Sequence, residues 1–143
     1  MDTRGHLRPR PGVDQFQMMK DKEMARAKWI SHKGKRVLWI DFSKTDDNGV
    51  IKAIAEAKPI IIREPNNSIL CIVDATGTKV TRTISAEIKE FTMHNKPFMK
   101  MTAVIGIDGI QKVVLTLAII FTNRKNLIAK NTKDEALEWL ISQ

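Results

Sequence analysis

The chain has 143 residues, of which 43% are hydrophobic and 28% charged, enough for one globular domain with its own core. Aromatic residues make up only 6% and Tyr is absent, which argues against a carbohydrate site or a stacking platform for single-stranded nucleic acid. The net charge of +8 is spread along the chain with no basic stripe on a reading helix, so no specific nucleic-acid partner is expected.

Residues 1–28 hold Arg, Pro and Gly with little apolar periodicity, and read as a flexible basic N-terminal tail in which 18–28 could form a short charged helix. No apolar stretch follows the early arginines, so a secretory signal is not expected. The most apolar run, 113–121, falls far short of the roughly 20 residues that span a bilayer. Together with a single cysteine, Cys71, inside an apolar run, this points to a soluble cytoplasmic protein in a reducing compartment.

The folded body is expected over 29–143. Residues 29–32 and 36–42 read as two strands around a tight turn, where Gly34 supplies a positive φ. The second strand is apolar on both faces up to Asp41, the mark of a sheet covered on both sides. Capping residue types at 43–48 lead into a helix over 47–63, with Val50, Ile51, Ile54, Ala55, Ala57 and Ile61 on its apolar face and a kink or break at Pro59. A turn cluster at 64–68 precedes a buried parallel-type strand at 69–74 and a loop at 75–79.

An amphipathic helix at 81–94 follows, with Ile84, Ile88 and Phe91 at helical spacing, and then a strand at 98–107. The segment 110–123 reads as a helix that is apolar on nearly every side. Residues 125–130 read as a short strand, and Thr132 with Glu135 forms a capping box for a last helix that buries Ala136, Leu137, Leu140 and Trp139. The order is ββαβαβαβα. It predicts an α/β fold with one mixed, mostly parallel sheet, an N-terminal antiparallel hairpin, and covering helices on right-handed crossovers.

Particular stretches carry a family likeness: KRVLWIDFS at 35–43, NSILCIVDATG at 67–77, KEFTMHNKP at 89–97, NRKNL at 123–127, and a final Glu-Ala-x-x-Trp-Leu helix. Together with the element order, they resemble the bacterial SpoIIAA-like branch of the STAS domains over about residues 29–143. The resemblance implies a noncatalytic protein-interaction or regulatory module with an unidentified protein partner. STAS proteins that antagonise anti-sigma factors are switched by phosphorylation in an Asp-Ser-Ser/Thr-Gly-type segment at a helix start. Asp74-Ala75-Thr76-Gly77 matches that segment in its Asp, one hydroxyl and the Gly, while Ala75 departs from it. Thr76 and Thr78 are thus candidate phosphosites, against the plainer reading of loop hydroxyls bonded to nearby backbone. The fold is also similar to CRAL-TRIO lipid-binding domains, which implies an apolar or lipid-like ligand as the alternative.

The residues themselves point away from an enzyme. No phosphate-binding Gly-rich loop or Gly-x-Ser-x-Gly elbow is present, and no Cys or His pair has metal spacing, so no cofactor or metal is expected. Asp41 and Asp74, at the ends of predicted central strands, could serve with Gly77 as a ligand or loop site. As a pair they could also act as general acid and base, and the plainer reading is that each accepts loop N–H bonds and closes the following turn. In helix 110–123 one face can meet the sheet, which leaves Leu115, Ala118 and Ile119 on the other sides. Such an apolar back is covered by a neighbouring element, by a second subunit of a homodimer, or by an apolar ligand.

Overall fold

The computed structural model describes residues 25–107 and 126–143. Most of the predicted tail and the whole of predicted helix 110–123, with Leu115, Ala118 and Ile119, lie outside the described residues.

The described residues form one five-stranded sheet whose spatial order follows the chain, β1 to β5. β1 (Ala27–His32) and β2 (Lys35–Asp41) pair antiparallel. β3 (Ile69–Asp74), β4 (Met99–Ile105) and β5 (Leu127–Lys130) continue the sheet in parallel from β2. This is the predicted mixed, mostly parallel sheet with its N-terminal hairpin. β1 starts two residues earlier than predicted, because Ala27 and Lys28 pair with Ile40 and Trp39. The two-residue turn has Lys33 at φ 49° and Gly34 at φ 83°, so both residues are left-handed, as the twist of a tight hairpin requires.

Period-two alternation sends successive strand residues to opposite cores. Leu38, Ile40, Phe42 and Cys71 face one side, under α1 (Asp47–Ile61) and α2 (Ser85–Asn95). Val37, Leu70, Ile72, Ala103 and Ile105 face the other, under α3 (Lys133–Ile141). The sheet is therefore sandwiched between helix layers, which explains why β2 and β3 read as nearly continuous apolar runs.

In α1 the buried stripe is Val50, Ala53, Ile54, Ala57 and Ile61. The predicted face is corrected at two positions: Ile51 is 46% exposed and Ala55 is exposed, each one step round the helix from the stripe. Of the kink or break predicted at Pro59, the break is corrected. The helix continues to Ile61, and the Ile62 N–H donates to the Lys58 carbonyl at 3.1 Å. Proline withholds only the bond to the carbonyl of Ala55, which lies on the solvent side where water can replace it.

A 3₁₀ turn at Arg82–Ile84 leads into α2. Ile84 and Phe91 are buried and Ile88 is half-buried, with the Phe91 ring 6.4 Å from that of Phe42. In α3, Thr132 Oγ1 accepts from the Glu135 N–H at 3.1 Å, as predicted. The return bond goes one residue further back, from the Asn131 N–H to Glu135 Oε1 at 3.0 Å. Trp139 is half-buried, unlike Ala136, Leu137 and Leu140.

The β1–β2 hairpin holds the far end of α3. Glu138 lies 2.7 Å from His32 and 2.9 Å from Lys33, and Lys35 Nζ donates to the Ile141 carbonyl at 2.8 Å. The hydrogen bond with His32 first, and then Lys33, holds the Glu138 carboxyl below its ordinary value of 4.5.

Candidate functional site

In open α/β sheets, ligands bind outside the carboxyl ends of the strands. At that end Asp41 and Asp74 are register partners on β2 and β3. The Asp41 Oδ1 accepts from Ser43 twice, from its N–H at 2.8 Å and its hydroxyl at 2.5 Å. The Asp74 Oδ1 accepts from the Thr76 N–H at 2.9 Å. Each carboxylate thus closes the turn two residues beyond itself, in line with the plainer reading of the sequence.

The loops after β2 and β3 are laced together by main-chain bonds. The Phe42 N–H donates to Asp74 O, Lys44 N–H to Thr76 O, and Lys79 N–H to Thr45 O, at 2.8, 2.9 and 2.7 Å. These bonds extend the parallel pairing past the strands, and the two loops form one continuous rim.

Thr76 and Thr78 occupy opposite environments on this rim. Thr76 is exposed. Thr78 is only 7% exposed, and its hydroxyl faces the carbonyls of Phe42 and Ala75 as donor, with Ala75 O at 2.8 Å. Gly106, just after β4, supports Thr76 from below. Its φ is +75°, and a Cβ there would come within 2.6 Å of the Thr76 Cα and N. Gly77 lines an open groove of about 550 Å³ with Lys44, Thr45, Asp46 and Lys79.

Two groups at this end were not singled out from sequence. Arg26, placed in the predicted tail, donates to the carbonyls of Asp41 and Ser43, both at 3.2 Å, and stands 3.9 Å from the Asp41 carboxylate. Asp47, at the start of α1, accepts from the Thr81 N–H at 2.9 Å and hydroxyl at 2.5 Å, and from the Thr83 hydroxyl at 3.2 Å. The bond from the Thr81 hydroxyl, then that from its N–H, holds the Asp47 carboxyl below its ordinary value of 3.8. An acidic first-turn residue was a legible signal; its pairing with Thr81 across 34 residues was not.

Beneath the rim lie two small apolar cavities of about 70 and 60 Å³. Phe42, Val73, Ile88 and Val104 line both. Among the described residues, no group of three or more His, Cys, Asp or Glu could hold a metal ion, and no helix is long and apolar enough to cross a membrane.

The strand order, the hairpin and the two helix layers define a SpoIIAA-like α/β fold. Among solved structures, the chain is similar to an uncharacterized protein of the DUF3478 family from Shewanella loihica, described as having a SpoIIAA-like fold. The TM-score is 0.56 at 17% identity, covering 80% of this chain and 91% of that one. No family model and no curated protein matches the chain.

Proposed function

We propose that the chain is a noncatalytic interaction or regulatory module of STAS type that works in the cytoplasm as a homodimer and meets a protein partner through its laced rim. The observation that carries this reading is the use made of Asp41 and Asp74. Both carboxylates are engaged in turn closure, which braces the loops at the carboxyl end of the sheet and supports their use as a docking surface. The SpoIIAA-like fold supports the same reading.

Of the two candidate threonines on that surface, Thr76 is the one available for modification, because Thr78 is buried against two carbonyls. A phosphate on Thr76 would add nearly two negative charges beside Asp74 and repel a partner docked there. The test is phosphate mapping on the full chain recovered from its own host. Phosphate on Thr76 that disappears in Thr76→Ala supports the switch, and phosphate confined to other residues refutes it. The dimer rests on the apolar pattern of 110–123. Leu115→Glu or Ile119→Glu should halve the solution mass of a folded chain, and an unchanged mass in both would remove that interface.

A second reading, a small apolar or lipid-like ligand, draws on the two cavities under the rim. At about 70 and 60 Å³ they are well below the roughly 300 Å³ at which ligand pockets begin, which favours the interaction module.

A further inference from the structure

The end of the sheet opposite the rim combines excess positive charge with protruding apolar side chains. α1 and α2 both run back from the carboxyl end, so their C-termini meet the starts of β2, β3 and β4 there. Among the described residues, the basic groups at this end are Lys33, Lys35, Arg36, Arg63, Lys96 and Lys100 and the carboxylates are Glu64 and Glu138, six cations against two anions, a net of +4. Lys33 and Arg36 keep 64% and 58% of their side chains in solvent although each is paired with a carboxylate. Lys100 is exposed at the irregularity where Ile69 pairs with Met99 but Leu70 with Met101.

Cations near helix C-termini are expected, since they offset the partial negative charge of the last carbonyls. Exposed apolar side chains among them are not. Ile62, the C-cap of α1, is 61% exposed, and Met93, in the last turn of α2, is 55% exposed. Lys58 and Glu90 join the two helices at 3.1 Å. Ile62 is four residues beyond Lys58 and Met93 three beyond Glu90, so both stand about one turn closer to this end than that ion pair.

We infer that this end docks onto an anionic lipid surface, with Ile62 and Met93 entering the headgroup region and Arg63, Lys100 and the hairpin cations meeting the lipid phosphates. Surface attraction by several Lys and Arg side chains, joined to a small apolar insertion, is the combination that holds a peripheral protein reversibly at a bilayer. A nucleic acid would use the charge but gain little from two separate apolar tips.

The test is sedimentation of the full chain with vesicles of phosphatidylglycerol and phosphatidylcholine in equal parts, and with pure phosphatidylcholine. Binding to the mixed vesicles alone is expected. Arg63→Glu and Lys100→Glu should each weaken it at least about fivefold. The double variant Ile62→Ser, Met93→Ser keeps the charge and should weaken it about tenfold. Lys52→Glu, the same charge change nearer the other end of α1, should leave binding within about twofold. Thermal unfolding of each variant separates lost binding from lost folding. No binding to the mixed vesicles overturns the proposal. So does binding that ignores Ile62 and Met93 and is matched by duplex RNA, which would assign the surface to nucleic acid.

Discussion

Replacing Thr78 by Val keeps the side-chain volume and removes one hydroxyl, which makes it a direct probe of the rim. That hydroxyl is buried and faces the carbonyls of Phe42 and Ala75. The Ala75 carbonyl keeps a second donor, the Thr78 N–H at 3.2 Å, so the Phe42 carbonyl bears most of the loss. Leaving a buried acceptor without its donor costs about 1–3 kcal/mol. With a urea m-value of about 2 kcal/mol/M for a domain of this size, the midpoint should fall by about 1 M at unchanged slope. Thr76→Val, on the exposed neighbour, should stay within about 0.5 kcal/mol of the parent. Urea unfolding followed by Trp fluorescence reads both. Equal midpoints for parent and Thr78→Val would refute the division of the two threonines into a structural and an available hydroxyl.

Gly106→Ala should cost at least about 2 kcal/mol by the same assay, because it combines a positive φ with backbone contacts at 2.6 Å. Asp47→Asn should lower stability at neutral pH in a pH-dependent way. The Asp47 carboxyl is held below 3.8 in the folded chain, so its contribution is complete above that value and lost as pH falls through the lowered one. The gap between parent and variant should therefore be constant from neutral pH down to mild acid and close only in strong acid; a gap that widened on acidification would contradict the assignment. Glu138→Gln should loosen the hold of the hairpin on the last turn of α3, which Lys35 keeps at the Ile141 carbonyl, seen as faster amide exchange in α3 with little change elsewhere.

The sheet was legible because its central strands are largely buried on both faces and its turns carry their own chemistry. Ile69–Asp74 matches the predicted strand residue for residue, and the Asn-rich cluster before it marks the boundary. Pro59 misled as a break because its effect on a helix depends on which side the orphaned carbonyl faces. Ile51 misled because an apolar residue type does not say which side of a helix it occupies. At the rim, Asp41 and Asp74 were legible as strand-end carboxylates. What their oxygens accept depends on turn geometry, and what Thr78 touches depends on a loop 36 residues away. Arg26 was missed for a related reason: it precedes the first apolar strand residue, and only the fold brings it to Ser43. Long-range pairing of loops leaves no local periodicity to read.

Native mass spectrometry of the full chain, purified from its own host, tests the interaction module most directly. The mass of a dimer with no small molecule attached is expected. A monomer that carries additional ligand mass would contradict it and turn the apolar cavities under the rim into the site that matters.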